Sequence, residues 1–425
     1  MDASPAGIVV AAEDRATAGQ GALGPAPRRI VLVARGLDSL GHDRFLCRRA
    51  AIEAARLGIP LEILGGPAPL PAAMAADLGV RFIFRRTPGP ADAAPDPYAD
   101  EYDRYEASAR QFAEDLVDAG LGLGREDMVW LPSASLSAID GLAGGLRRLR
   151  VQPFVAACLH HATPPDASYA PGTVPALLAR LALRHIERAL GERPALVTAT
   201  TEGLARRLAP LLGRAVPTLP LPHWYDPPPG EDTTPPPLPP GDGPLIGVLG
   251  RPRPDKGLPG LQAILAAVHA AVPKARLVVQ DYGPDAAYLP VHDRLRAAGI
   301  VHGLPWPISD GAFLGLVGRL DLVLLPYRAR SFVDRVSGPF CFAAASGVPV
   351  VATAGTWMAG EIAAGRAAGA VLDDLAPHTV ARAVAGALAD LARTKARAGA
   401  LAPTWRANDG TRLIAELLRR ARLAP

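Results

Sequence analysis

The chain is nearly devoid of lysine: Lys256, Lys274 and Lys395 stand against 42 arginines in 425 residues. With abundant Ala, Gly and Pro, that imbalance fits the codon bias of a GC-rich genome, and it makes a retained lysine conspicuous. Cysteine is also scarce. Cys47, Cys158 and Cys341 lie far apart, which excludes a CxxC pair and leaves no even disulfide framework or zinc site. Three small buried side chains in a reducing compartment are expected instead. The formal charge of +4 is small for this length and no basic block stands out, so nucleic acid is not an expected partner. No apolar run has the length of a membrane span. The N-terminus has an early Asp2, no basic segment and only a short apolar stretch. It fails as a signal peptide, and residues 1–27 are expected to form a disordered tail. These absences point to a cytoplasmic protein.

What is present is an alternation of short apolar runs and longer helical patterns. The length favours two domains. RIVLVA (29–34), LEIL (61–64), VRFIF (80–84), MVWLP (128–132), PFVAACLH (153–160) and ALVTAT (195–200) read as strands, with helices expected over 45–57 and 102–119. Continuous apolar strands between helices argue for a parallel sheet covered on both faces. Eleven prolines then fall within 220–244, a composition that forms neither helix nor sheet interior. The strand-helix pattern restarts at PLIGVLG (244–250) and continues with ARLVVQ, DLVLLPY, VPVVAT and AGAVL. The expected organisation is an N-terminal Rossmann-like domain over 28–222, a Pro-rich linker over 223–243 and a C-terminal domain over 244–402. Pro403 is expected to break the helix 378–400 and to start a closing helix over 403–425, crossing back to the first domain. Such sheets bind ligands at the carboxyl ends of their strands, and two of them facing each other would make a cleft.

The first such end in the second half is GRPRPDKG, residues 250–257. It follows a strand and precedes a helix, so backbone N–H groups and the positive helix end can face an anion. Arg251 offers a planar fork to phosphate oxygens and Lys256 a compact charge. Two cations five residues apart suit a diphosphate, whereas Arg253 reads as a solvated turn residue.

The pattern G-R-x-x-x-x-K-G resembles the nucleotide-sugar loop of retaining GT-B glycosyltransferases, the large group-1, glycogen-synthase-like family. The stretch from Asp321-Leu-Val-Leu-Leu-Pro326-Tyr327 through Ser337-Gly338 to Gly347-Val-Pro349-Val-Val resembles that family's following motif, as do Gly355 and Gly360-Glu361-Ile362. The resemblance implies an α/β GT-B fold, two Rossmann-like parallel-sheet domains facing across a cleft. It also implies a nucleotide-diphosphate sugar as co-substrate, no bound cofactor and no metal. Arg251 and Lys256 would hold the donor diphosphate. Gly250, Ser337, Gly338 and Glu361 would line the donor site, and Asp334 would face the donor sugar. One departure stands out. The family carries a second acid eight positions after the first, where this chain has Phe342. A phenyl ring accepts no ribose hydroxyl, and losing such a pair would weaken nucleotide binding by about 1–3 kcal/mol. As core packing on a helix, Phe342 needs no functional role.

In the first half, Gly41 and His42 follow strand one in a loop that is not the Rossmann fingerprint, and they are assigned to the cleft lining. His160 and His161 end a strand. Adjacent strand residues point to opposite faces, so only one faces the cleft. His161 is taken as the catalytic candidate and His160 as cleft lining, with no third ligand spaced for a metal. Glu202 is expected in the first turn of a helix, complementing its dipole. The expected activity is glycosyl transfer with retention, in glycan biosynthesis, to a glycan, a lipid-linked or a small-molecule acceptor. Arg-rich stretches at 145–150 and 177–190 permit peripheral membrane contact but also suit a solvated face. Two other readings remain: a catalytically silent GT-B-fold binding or scaffold protein, and a sugar-nucleotide epimerase, for which the acid and histidine pattern is missing.

Overall fold

The computed structural model describes residues 24–35, 37, 43–66, 75, 78–85, 97–160, 173–191, 195–219, 233–250, 254–280, 289–304, 308–408 and 412–423. They fall into two compact units, one of 24–219 with 412–423, the other of 233–408. Each is built on its own six-stranded parallel sheet.

In the N-terminal unit the elements run β1 (Ile30–Ala34), α1 (Asp43–Arg56), β2 (Leu61–Gly65), β3 (Val80–Phe82), α2 (Pro97–Asp118), β4 (Met128–Leu131), α3 (Leu136–Leu149), β5 (Phe154–Leu159), α4 (Val174–Leu190), β6 (Leu196–Ala199) and α5 (Glu202–Leu212). The strand order is β3-β2-β1-β4-β5-β6, parallel throughout. All five residues of β1 and all four of β4 are buried, as unbroken apolar runs between two helical layers require. Ser and Thr stop the strands and start the helices. Ser135, Thr173 and Thr201 each accept an amide of the first turn of α3, α4 and α5, with Glu202 in the first turn of α5.

The C-terminal unit continues with β7 (Leu245–Val248), α6 (Leu258–Ala271), β8 (Arg276–Gln280), α7 (Leu289–Ala297), β9 (Val301–Leu304), α8 (Asp310–Arg319), β10 (Leu322–Leu325), α9 (Ala329–Phe332), α10 (Gly338–Ala345), β11 (Val350–Thr353), α11 (Trp357–Ala363), β12 (Gly369–Leu372), α12 (Pro377–Ala389) and α13 (Leu391–Arg406). Its order is β12-β11-β10-β7-β8-β9. Strand β9 is absent from the sequence reading because VHGL carries a His and a Gly and lies at the sheet edge.

The helical boundaries near the C-terminus need correction. The expected break at Pro403 is not there; α12 ends at Ala389 and α13 runs from Leu391 through Pro403 to Arg406. Proline in the last turn removes one backbone bond, but the helix is held from the side. Ala398, Ala402 and Trp405 are buried, and the Trp405 indole meets Phe340 and Trp357 edge to face at 5.5 and 6.3 Å. Trp405 Nε1 donates to the Arg366 carbonyl at 2.9 Å. The following helix, α14, spans only Leu413–Arg420. It packs Leu413, Ile414, Leu417 and Leu418 into the core of the N-terminal unit. Its N-terminus is held by the buried Glu53 carboxylate of α1, which accepts the amides of Ile414 and Ala415 at 2.7 and 2.9 Å. The stretch read as a tail also needs shortening. Residues 1–23 lie outside the described residues, but Gly24 is ordered, its N–H donating to the Arg422 carbonyl at 2.7 Å.

Candidate active site

In the C-terminal sheet the chain leaves β7 toward β8 and β9, then crosses back so that β10 lies on the other side of β7. The carboxyl ends of β7 and β10 are therefore the switch point at which an open α/β sheet leaves a crevice. Two segments meet there, residues 249–250 with 254–257, and residues 326–337.

Their joining is dense. The Arg328 N–H donates to the Asp255 carbonyl at 2.9 Å, and the Asp255 carboxylate pairs with Arg335 at 3.1 Å. Arg335 in turn lies over the Phe332 ring at 4.9 Å. Asp255, the acid beside Lys256, is thus engaged by the opposite loop. The Lys256 ammonium stands 5.5 Å from the centroid of Tyr327. Two glycines permit this approach. Gly257 has φ 83°, and a Cβ there would lie 2.1 Å from the Pro326 carbonyl oxygen. Gly250 has φ 93°, and a Cβ there would lie 2.9 Å from Lys256 Nζ and 3.1 Å from Pro339 Cγ. The Gly250 N–H is fixed by Gln280 Oε1 at 2.8 Å, from the end of β8. Gly250, Lys256 and the first turn of α10 consequently converge on one point.

That first turn has one open amide. Ser337, itself buried, caps α10 by accepting the Phe340 N–H, the Cys341 N–H goes to the Ser337 carbonyl, and Pro339 has no N–H. The exposed Gly338 supplies the amide for which no intrachain acceptor occurs among the described residues. A lysine, a helix start and an open amide form a surface suited to a phosphate. Asp334 is half-buried in the same loop, between α9 and α10. Arg251 lies outside the described residues.

Glu361 lies in α11, where Arg366 meets it with two donors at 2.6 and 2.8 Å. Phe342 packs against the core of the unit, edge to face with Phe313 of α8 at 5.6 Å. Gln280, Tyr327 and the Asp255–Arg335 pair went unread in the sequence, because nothing in their spacing marks them; Gln280 ends a strand as any polar residue would.

In the N-terminal unit the corresponding switch point lies where β1 neighbours β4. His160, just past β5, points its Nε2 at the Pro132 carbonyl at 2.6 Å. A carbonyl only accepts, so Nε2 carries a proton. Ser133 Oγ lies 3.4 Å from the same nitrogen and donates to the buried Asp43 carboxylate, at the start of α1, at 2.5 Å. His161, Gly41 and His42 lie outside the described residues. The three cysteines are free and buried. Burial raises all three thiols, that of Cys158 to about 12, so none is a ready nucleophile.

No protein-family model matches the chain, and no curated protein does. Solved structures do. A sucrose-phosphate synthase from Thermosynechococcus elongatus is 16% identical, with 92% of this chain and 98% of that chain covered at a TM-score of 0.63. HepE of Anabaena, in complex with UDP-glucose, is 15% identical over 92% and 99% of the two chains at 0.60. An α,α-trehalose 6-phosphate synthase from Burkholderia multivorans is 15% identical over 93% and 98% at 0.60. With two parallel six-stranded sheets, these matches over nearly whole chains show the fold: two Rossmann-like domains of the GT-B type.

Proposed function

We propose that the chain is a glycosyltransferase that moves a sugar from a nucleotide-diphosphate donor to a glycan, lipid-linked or small-molecule acceptor, with retention at the transferred carbon. The observation that carries this reading is the convergence of Lys256 Nζ, Gly250 and the α10 N-terminus at the β7/β10 switch point. The donor's diphosphate lies there. As its bond to the sugar breaks, negative charge grows on the leaving phosphate, and Lys256 and the Gly338 amide stabilise it; Arg251 joins them by family resemblance. In retaining front-face chemistry that phosphate takes the acceptor's proton, so no protein nucleophile is needed. Asp334 faces the donor sugar. On the N-terminal unit, His160 and His161 serve the acceptor, His161 as the catalytic candidate. UDP is the first nucleotide to test, since HepE is a structural neighbour solved with UDP and with UDP-glucose.

The sequence and the buried thiols suit a cytoplasmic protein. No helix among the described residues is long and apolar enough to cross a membrane. Peripheral contact, if the acceptor is lipid-linked, falls to the outer face of α4, where Leu177 and Leu181 are exposed beside Arg180 and Arg184.

One observation favours a second reading, a silent binding protein: Phe342 spends the place of the family's second acid on packing against Phe313. Calorimetric titration with UDP, GDP, ADP, dTDP and their sugars, followed by assays of transfer and hydrolysis, separates the two. Saturable binding of one nucleotide with turnover supports the transferase. Binding without turnover of any kind moves the chain to the silent reading, and no nucleotide binding removes the donor site.

A further inference from the structure

The N-terminal unit carries a second concave surface, at the strand ends opposite its switch point. Arg125 precedes β4, Arg147 sits in the last turn of α3, and Arg150 and Gln152 lie between α3 and β5. Above an apolar wall of Leu146 and Val151 they line a cavity of about 470 Å³. No acid lines it. Beside it, Arg184 and Arg188 of α4 line a second hollow of about 400 Å³; among the described residues its one acid is Glu187, paired with Arg214 at 3.2 Å.

Several arginines of this unit are held by acids. Arg28, Arg29, Arg81 and Arg85 each meet a carboxylate. Among the described residues no carboxylate meets Arg147, Arg148, Arg150, Arg184 or Arg188. A helix C-terminus accounts for basic residues in its last turn, and so for Arg147 and Arg148. It does not account for Arg150, which lies beyond the helix. Arg150 holds φ 55° and ψ 41° at the C-cap of α3, a left-handed position that glycine ordinarily fills. Its N–H takes the Arg147 and Leu146 carbonyls and that of Val151 the Leu146 carbonyl, so these two acceptors of the helix end are already used.

We propose that this cavity binds a phosphate group, with Arg147 and Arg150 as its principal cations and Arg125 and Gln152 completing the set. The ligand is a small organic or inorganic phosphate, or the phosphate of an anionic lipid headgroup. The site lies at the opposite strand ends from those a sheet uses for its substrate, so it binds independently of the donor loop.

The test uses the full chain carrying Lys256→Ala, so that phosphate held by the donor loop is not counted. Pyrophosphate is titrated calorimetrically at low salt, with and without Arg147→Gln plus Arg150→Gly. Arg150→Gly relieves the left-handed backbone, so the melting temperature should hold or rise while pyrophosphate affinity falls by about tenfold or more. Co-sedimentation with phosphatidylcholine vesicles, with and without phosphatidylglycerol, is run in parallel. Loss of pyrophosphate binding alone in the double variant assigns a free phosphate ligand. Loss of binding to the anionic vesicles in the same variant assigns a lipid headgroup. Undiminished binding of both probes by the double variant, or binding of neither by the parent, overturns the site.

Discussion

The two switch points in this molecule are built differently. At the β7/β10 end the working groups come mainly from two loops, and glycines set their spacing. Gly257 allows Pro326 to approach to a distance that a Cβ would forbid, and Gly250, at φ 93°, leaves room that a Cβ would crowd against Lys256 and Pro339. At the β1/β4 end the described groups are single side chains from three elements, Asp43, Ser133 and His160, joined by hydrogen bonds. One site is specified by backbone conformation and the other by side-chain pairing. Substitutions should therefore damage the two in different ways.

The largest effect should come from adding a methyl group to the backbone-specified site. Gly257→Ala places a carbon against the Pro326 carbonyl in a left-handed conformation. It should cost about 3 kcal/mol or more in urea unfolding and abolish nucleotide binding. Gly79→Ala, in the N-terminal unit, is the control. Its φ is 60° but nothing lies within 4 Å of the added carbon, so only the conformational cost of about 1 kcal/mol is expected. Equal losses at the two positions would show that close approach is not what Gly257 provides.

The next effect separates binding from turnover. Lys256→Ala removes a charged donor and should weaken nucleotide binding by about 1.5–3 kcal/mol in calorimetry, with little change in melting temperature. His160→Ala should leave nucleotide affinity within about twofold, because its partners are Pro132 and Ser133 of the N-terminal unit. It should instead lower transfer. A fall in UDP affinity for His160→Ala would assign that histidine to the donor.

This difference also decides what could be read beforehand. The loop proposed for the donor stood out beforehand because GRPRPDKG holds its glycines and cations in one continuous stretch. The sheets were legible because IVLVA, MVWL and VVAT are apolar without interruption. The Asp43–Ser133–His160 network was not, since its members are 27 and 90 residues apart and each residue type has an ordinary role in its own loop. Asp255 and Arg335 lie 80 residues apart, and only folding shows that they meet. Pro403 misled because local propensity marks a break there, whereas the packing of Trp405 keeps the helix whole.

Two buried carboxylates in the N-terminal unit carry the comparison to pH. Asp127 is also desolvated, but the Arg28 side chain, the Gly124 amide and Arg29 outweigh that and hold its carboxyl below the usual range. Its contribution is present above about pH 3.9 and is lost as pH falls through the folded value. Glu53 goes the other way. Burial raises its carboxyl, and the amides of Ala415, Ile414 and Leu413 with Arg56 offset this only in part. Its contribution is fullest below the unfolded value of about 4.3 and declines as pH rises through the folded one. Stability curves from pH 4 upward should therefore fall less steeply for Glu53→Gln than for the parent, whereas Asp127→Asn should flatten the acid limb. Parallel curves for Glu53→Gln and the parent would mean that α14 is anchored without a penalty for the buried charge.

The smallest effect is the sharpest on function. Ser337 and Thr201 cap their helices in the same way, each accepting an amide three residues on, at 3.4 and 3.2 Å. Replacing either by Ala should cost about 1 kcal/mol of stability. Their consequences for ligand binding should diverge. Ser337 sets the turn that presents the Gly338 amide beside Lys256, so Ser337→Ala should weaken nucleotide binding several-fold, while Thr201→Ala, at the start of α5 in the other unit, should leave it unchanged. Matched losses of stability with unequal losses of affinity would tie the α10 N-terminus to the diphosphate. Matched losses of both would reduce Ser337 to a helix cap and leave Lys256 as the main described support for the donor site.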